Sequence, residues 1–370
     1  MRVTLFRAFP DAYRQSMTVY AERLLGHLRG AMGPDESVVD CLPGRVALSP
    51  RPSRYWSQYV RYQRLASRAQ GDVNHVIDHA YAHLVHGMDA SRAVVTVHDA
   101  IGLRGNGAAG PARLARRVTM SGLRKAAAII CVSTTTAKRL LETVDCRPER
   151  IETIPQGVDE RFFDAAKGRP PARLSGPPVF SILHVGHTRF YKNIPAVLRV
   201  LDILGRSMRE PVRLVKVGEA FTPEQEQLAR ELGVAHRITH LGLVEDHQLL
   251  EAYGAADVLL FPSLDEGFGL PALEAMAAGV PLVASNRGAL PEIVGDAGIL
   301  VDPEDEKGMA AHVMDVLGDR ELRARLIAAG RRRARLFSWE ATAVKTLEVY
   351  RRVHGSAASR LPPLADRGIR

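Results

Sequence analysis

The chain has 370 residues, 46% of them hydrophobic and 25% charged, which suits a globular protein too long for one ordinary core and implies two domains. No apolar run reaches about eighteen residues, so no spanning helix is expected, and Met1-Arg-Val-Thr-Leu-Phe-Arg7 reads as a first strand rather than a leader. The net charge of +9 favours acidic partners such as nucleotides, sugar phosphates or an anionic membrane face, and no nucleic-acid-binding motif accompanies it.

Short β-branched runs alternate with helical stretches from the start. Strands are expected near residues 3–6, 37–40, 73–77, 93–97, 128–132 and 150–154, with helices near 17–28, 113–125 and 134–143. This alternation predicts a parallel sheet covered by helices on both faces. Ser133 follows the run Ile129-Ile-Cys-Val132 and is expected to cap the next helix. It does not lie in Gly-x-Ser-x-Gly, so a hydrolase nucleophile is not supported. Cys41, Cys131 and Cys146 have no metal-like spacing and no local signature of a catalytic thiol, which points to reduced thiols and a cytoplasmic setting.

Residues 165–178 hold four prolines and two glycines and read as an interdomain linker. The alternation then restarts. Strands are expected near 180–185, 213–217, 237–240, 258–261, 282–284 and 298–301, and helices near 194–207, 223–232, 246–253, 270–278 and 304–317. The basic run Arg331-Arg-Arg-Ala-Arg335 follows a helical pattern and is expected to be a solvated helix end. Two doubly wound domains in series would place a ligand cleft between their strand edges. Neither domain carries Gly-x-Gly-x-x-Gly after its first strand, and no Gly-x-x-x-x-Gly-Lys-Ser/Thr occurs, which argues against dinucleotide oxidoreduction and a P-loop kinase.

Three places carry chemistry. The stretch Pro262-Ser-Leu-Asp-Glu-Gly-Phe-Gly-Leu-Pro-Ala-Leu-Glu274 sets Glu266 before a helix and Glu274 on it, with Gly267 and Gly269 between. Pro271 suits the first helical turn. The free N–H groups of such a helix start favour an anionic or polyhydroxylated ligand, and the two carboxylates accept from hydroxyls. The second is His184-Val-Gly-His-Thr-Arg-Phe-Tyr-Lys-Asn193, where Gly186 allows close approach and Arg189 and Lys192 suit a diphosphate. The third is His98-Asp99, which ends the strand Val94–Val97 in the first domain and is followed by Gly102. His75, His79, His83 and His86 cluster in sequence, and His79 and His83 are four apart, as on one helix face. His-Glu-x-x-His and Asp-x-Asp are both absent, so a polar wall on the acceptor side is preferred to a metal site.

These segments together resemble the retaining glycosyltransferases of family 4, of the group 1 type. The resemblance runs from about residue 94 to 350. It rests on the Glu266 to Glu274 spacing, Val97-His-Asp99, Ile154-Pro-Gln-Gly-Val-Asp159, Leu290-Pro-Glu-Ile-Val-Gly-Asp-Ala-Gly298, Asp302-Pro303 and Phe337-Ser-Trp339. It implies the GT-B fold: two tandem Rossmann-like doubly wound domains with an interdomain cleft and a C-terminal crossover helix. The expected domains are an acceptor domain at 1–170, a nucleotide-sugar donor domain at 171–340, a helix at 341–356 packing back on the first domain, and a flexible tail at 357–370.

The resemblance also implies roles. Glu274 would hold the ribose, and Glu266 would face the donor sugar beside Gly267 and the N–H groups of Phe268, Gly269 and Leu270. Arg189 and Lys192, with Gly186, would receive the diphosphate, and Gly242, Leu243 and Val244 the base. His98 would contact the donor sugar or the reaction centre from the first domain. The expected activity is transfer of a hexose, mannose by overall likeness, from a nucleotide diphosphate sugar to a glycan or lipid-linked acceptor, with no metal or other cofactor and no nucleic-acid partner. Surface-polysaccharide or glycoconjugate synthesis is the expected setting. Peripheral contact with an anionic membrane is permitted by the charge. The alternatives are a nucleotide-sugar epimerase of the same fold and a non-catalytic nucleotide-sugar-binding protein. Three positions depart from the family pattern: His187 where Arg is usual, Ser16-Met17 where Gly-Gly is usual, and Gln156 where Asn is common.

Overall fold

The structure, a computed structural model, describes residues 1–9, 15–43, 56–101, 111–165 and 179–358. Its contacts form two compact units. One is Met1–Gly157 together with the chain from Trp339 onward, and the other is Val158–Ser338.

In the first unit the strands are β1 (Arg2–Phe6), β2 (Ser37–Cys41), β3 (Val73–Val76), β4 (Ala93–Val97), β5 (Ala128–Cys131) and β6 (Ile151–Thr153). They form one parallel sheet in the order β2-β1-β3-β4-β5-β6. Every residue of β3, β4 and β5 is buried, as strands covered on both faces require. The covering helices include α1 (Gln15–Ala31), α2 (Tyr62–Arg68), α3 (Pro111–Lys125) and α4 (Thr134–Thr143). Ser133 caps α4, its hydroxyl accepting from the Thr136 N–H at 3.0 Å.

The second unit repeats the plan with β7 (Phe180–Val185), β8 (Val212–Val217), β9 (Ile238–Gly242), β10 (Val258–Phe261), β11 (Leu282–Ser285) and β12 (Ile299–Val301). The sheet is parallel, in the order β12-β11-β10-β7-β8-β9. The order reverses between β7 and β10, and the crevice outside those strand ends is where such sheets bind ligands. The helices are α5 (Arg161–Asp164), α6 (Ile194–Ser207), α7 (Pro223–Glu231), α8 (Asp246–Gly254), α9 (Leu270–Ala278), α10 (Leu290–Val294), α11 (Glu306–Gly318) and α12 (Arg320–Ala334). Helix α6 buries Ile194, Val197, Leu198, Leu201 and Leu204, one stripe at helical spacing. Helix α9 is apolar almost all round and buries Ala272, Leu273 and Ala275 to Ala278. Its small side chains admit α12 closely: a Cβ at Gly330 would lie 3.3 Å from the Met276 Cα.

The last helix, α13 (Trp339–Ala358), belongs to the first unit. Trp339 meets Tyr20 of α1 edge-on at 5.6 Å, and the Tyr350 hydroxyl lies 2.6 Å from Nδ1 of the buried His75 on β3. The units divide at Gly157/Val158 rather than at 170/171. Residues 158–165 pack with the second unit because Phe162 is buried edge-on against Tyr253 at 5.4 Å. Val158 also pairs with Ser338, so the two chain crossings lie side by side. The remainder of the expected linker, residues 166–178, and the tail from 359 lie outside the described residues.

Two local expectations are corrected. Residues 79–87 form a 3-10 helix, not an α-helix, so a spacing of four does not align His79 with His83. The basic run at 331–335 is not simply a solvated end. The Arg333 guanidinium donates to the carbonyls of Glu292 at 2.6 Å and Ile293 at 3.0 Å, and so binds the C-terminal turn of α10.

Candidate functional site

The loops after β7 and β10 flank the switch point of the second sheet, and each supplies one member of a buried ion pair. Lys192 Nζ lies 2.5 Å from Glu266 Oε1, with the two residues 6% and 9% exposed. The ammonium also sits over the Phe261 ring, 4.7 Å from its centroid. A buried pair of this kind is a weak source of stability, because desolvation offsets much of the attraction. Its presence at a ligand crevice is therefore the more informative fact.

Backbone geometry fixes both loops. Asn193 adopts the left-handed conformation, with φ of 54°, between the short helix at Phe190–Lys192 and α6. Its side chain donates to the Pro303 carbonyl at 2.8 Å. The Leu264 N–H donates to Tyr191 O at 2.7 Å, which ties one loop to the other. Gly269, with φ of 95°, caps α9, and a Cβ there would lie 2.6 Å from Leu290 Cδ2. Gly267 and Phe268 are buried, and Phe268 meets Phe337 edge-on at 6.1 Å. Leu270 and Pro271 open the helix.

Glu274 is the fifth residue of α9, just over one turn in, and is half-buried. Its Oε2 accepts from the Tyr253 hydroxyl at 2.8 Å. Burial pushes its carboxyl up to about 7; the tyrosine bond opposes that rise, and Asp159 and Asp246 add to it. Sequence reasoning missed Tyr253, whose position on α8 gives no motif. Arg189 is exposed, and its side chain makes no hydrogen bond or ion pair among the described residues. His187 is half-buried, with Nδ1 3.8 Å from Glu219 Oε2. Its pKa is lowered by burial and by Lys192. Gly242 ends β9 with φ of 72° and open space where a Cβ would be, and Leu243 is exposed. The structure thus brings together Lys192 and Glu266 in contact, and sets Gly242 at the end of β9 and Gly186, Arg189, Leu243, Val244 and Gly267 to Glu274 on the loops and helix that follow β7, β9 and β10.

His98 belongs to the first unit and is buried just after β4. Its Nε2 lies 2.8 Å from the Ile77 carbonyl, which requires a proton on that nitrogen. The Gln156 amide then donates to the bare Nδ1 at 3.3 Å. Burial lowers the His98 pKa, so the ring is neutral with both nitrogens engaged. This geometry removes it from acid–base duty as it stands. Gly102 lies outside the described residues. In the histidine-rich segment His75 and His83 are buried, and His79 and His86 are half-buried. His75 is fully buried between Tyr350 and Thr96, and its pKa is lowered by burial to about 3. His83 bonds the Gln58 carbonyl and His86 the Val118 carbonyl. Among the described residues no group of three or more His, Cys, Asp or Glu could hold a metal ion, and no helix is long and apolar enough to cross a membrane.

Two Rossmann-like units with six parallel strands each make this a GT-B structure. Sucrose-phosphate synthase from Thermosynechococcus elongatus superposes with a TM-score of 0.76 at 22% identity, covering 96% of this chain and 100% of that one. An Anabaena protein, HepE, solved in complex with UDP and glucose, gives 0.72 at 16% identity over 97% and 100%. Residues 16–162 match the family "Glycosyltransferase Family 4" and residues 175–333 match "Glycosyl transferases group 1". The chain belongs to this glycosyltransferase family. It is 37% identical over 171 residues to O-antigen chain mannosyltransferase B of Escherichia coli, which is 46% of this chain and 45% of that protein. It is 36% identical over 242 residues to the MMP alpha-(1->4)-mannosyltransferase of Mycolicibacterium hassiacum, covering 62% and 55%. It is 34% identical over 255 residues to the D-inositol 3-phosphate glycosyltransferase of Corynebacterium efficiens, covering 65% and 60%. The chain spans about half the length of the curated relatives it matches.

Proposed function

We propose that the protein is a metal-independent, retaining hexosyltransferase. It moves mannose from a nucleotide diphosphate sugar to a glycan or lipid-linked acceptor in surface-polysaccharide or glycoconjugate synthesis. The observation that carries this reading is the buried Lys192–Glu266 pair at the switch point, with Glu274 on the helix that follows. Mannose is supported by the names of two relatives. A cytoplasmic setting with peripheral contact to an anionic membrane fits the net charge of +9.

In this reading the ribose diol donates to Glu274, and the base rests at Gly242 to Val244. Lys192 and the unpaired Arg189 face the diphosphate. As the bond from the anomeric carbon to the phosphate oxygen breaks, their charge stabilises the negative charge that develops, the part a metal ion plays elsewhere. Glu266 keeps Lys192 oriented and accepts from the donor sugar. The acceptor oxygen forms its bond to the anomeric carbon on the face the phosphate leaves, and its proton passes to the departing phosphate oxygen.

The test is nucleotide release from UDP- and GDP-sugars with and without a mannose-terminated acceptor. Release that needs the acceptor is expected, with Glu266→Gln lowering kcat by about a hundredfold or more. Interconversion of nucleotide sugars without any acceptor would replace this reading with an epimerase. Binding without turnover under any condition would leave a non-catalytic binding protein.

A further inference from the structure

Three adjacent strands of the second unit end alike: His184-Val185-Gly186 on β7, Lys216-Val217-Gly218 on β8 and His240-Leu241-Gly242 on β9. Register sets Lys216 between His184 and His240, so the basic residues form one row across the sheet. Each reaches a backbone carbonyl. His184 Nδ1 is 3.0 Å from Leu260 O, Lys216 Nζ 2.7 Å from Gly186 O, and His240 Nε2 2.9 Å from Gly218 O.

Lys216 differs from its neighbours. It has no exposed surface, and its ammonium has two further carbonyls, Val217 O at 3.0 Å and Glu219 O at 3.1 Å. Three N–H groups thus meet three acceptors, which makes burial of the charge tolerable. A fully buried lysine is seldom kept for packing alone.

The carbonyl it holds cannot turn elsewhere. Gly218 backs onto it so closely that a Cβ there would lie 2.3 Å from Gly186 O. In a planar trans peptide the C=O and the next N–H point opposite ways. Holding Gly186 O toward Lys216 therefore turns the His187 N–H away from it, and that N–H has no hydrogen-bond partner among the described residues. The next residues are braced from the same side. Glu219 accepts from the Thr188 N–H and hydroxyl, both at 3.2 Å, and Gln225 donates to Thr188 O at 2.9 Å.

We propose that Lys216 is a positioning residue for diphosphate binding: by clamping Gly186 O it presents the free His187 N–H, beside Arg189 and Lys192, to the diphosphate of the donor. This rests on the donor-site reading above and adds to it the residue that shapes the loop from beneath. Burial, opposed by Glu219 and reinforced by Lys192, lowers the Lys216 pKa from 10.5 to about 8. His184 and His187 face it from the loop and strand of β7, and His240 from β9. Above about 8 the neutral amine has two N–H groups for three carbonyls, and the clamp slackens.

The sign of the linkage separates positioning from mere support. Because the folded pKa lies below the unfolded one, between about 8 and 10.5 the unfolded chain holds the extra proton and this group's contribution to stability rises with pH. Diphosphate affinity falls over the same window.

Calorimetric titration of the intact protein with UDP, GDP, inorganic pyrophosphate and the nucleosides uridine and guanosine tests this. Lys216→Met is expected to weaken diphosphate binding about tenfold or more while leaving nucleoside binding unchanged. Wild-type diphosphate affinity is expected to fall through about pH 8, and Lys216→Arg to retain affinity without that fall. An unchanged ratio of diphosphate to nucleoside affinity in Lys216→Met, or the same fall in Lys216→Arg, overturns the inference. Should Lys216→Met fail to fold, a flat wild-type profile across the window still overturns it. Wild-type protein that binds none of the diphosphates removes the donor-site reading itself, a failure distinct from that of Lys216.

Discussion

Replacing Tyr253 by Phe should change how the donor is bound without touching it. The Tyr253 hydroxyl donates its one proton to Glu274 at 2.8 Å, and the Pro271 carbonyl lies 3.2 Å from the same oxygen. Burial has brought the Glu274 carboxyl from 4.5 to about 7, and the tyrosine bond is what opposes a further rise. That displacement corresponds to about 3 kcal/mol. Its sign runs against the usual carboxylate case. Between 4.5 and about 7 the folded chain binds the extra proton, so this group's contribution to stability is full below 4.5 and is lost as pH rises through 7. On the proposed assignment of Glu274 to the ribose, binding needs the carboxylate and so gains over the same range.

A hydrogen bond to a charged group contributes about 1.5–3 kcal/mol, and loss of only part of that moves the inflection up by about one pH unit. At neutral pH the ionised fraction then drops from about one half to about one tenth, and donor affinity falls about fivefold. The assay compares a nucleoside diphosphate with its 2′,3′-dideoxy counterpart across pH. The phosphates cancel in that ratio and the diol remains. A ratio that ignores pH in the wild type, or that Tyr253→Phe leaves unmoved, refutes the assignment of Glu274 to the ribose.

Other outcomes follow from the same geometry. Lys192→Met and Glu266→Gln should each lower unfolding free energy by about 3–5 kcal/mol, since each strands a buried partner, while the double variant regains part of the loss; additive effects in urea unfolding would show the pair to be uncoupled. Tyr350→Phe removes the hydroxyl 2.6 Å from His75 Nδ1 and should cost about 1–3 kcal/mol in the same measurement. An unchanged midpoint would mean that α13 is not tied to β3 through this bond.

The alternation of β-branched runs with helical stretches was enough to place both sheets, because parallel strands covered on two faces read as continuous apolar runs. Glu266 and Glu274 were legible for a different reason: glycine and proline at fixed offsets mark a strand-to-helix crossing. Lys216 had a signal that went unused. In Val212–Val217 it shares the period-two face of Val212 and Leu214, which is the buried face. His75 and Tyr350 were not legible together, since 275 residues separate them and no local pattern links a strand histidine to a distant helix. The histidine spacing misled because it assumed 3.6 residues per turn where the chain takes about three. Arg333 looked solvated because nothing in its own helix reveals the carbonyls of α10 that it meets.

The place of α13 bears on how the protein is made. The second unit is one continuous run, Val158–Ser338, whereas the first needs residues from both sides of it. A ribosome releases the whole of that run before Trp339 appears. Until then Tyr20 and His75 wait without the tryptophan and the tyrosine that complete their surroundings. The unit synthesised first is therefore the one finished last, and for the length of the second unit's synthesis the nascent chain carries an uncovered apolar face, the state in which growing chains most need a chaperone.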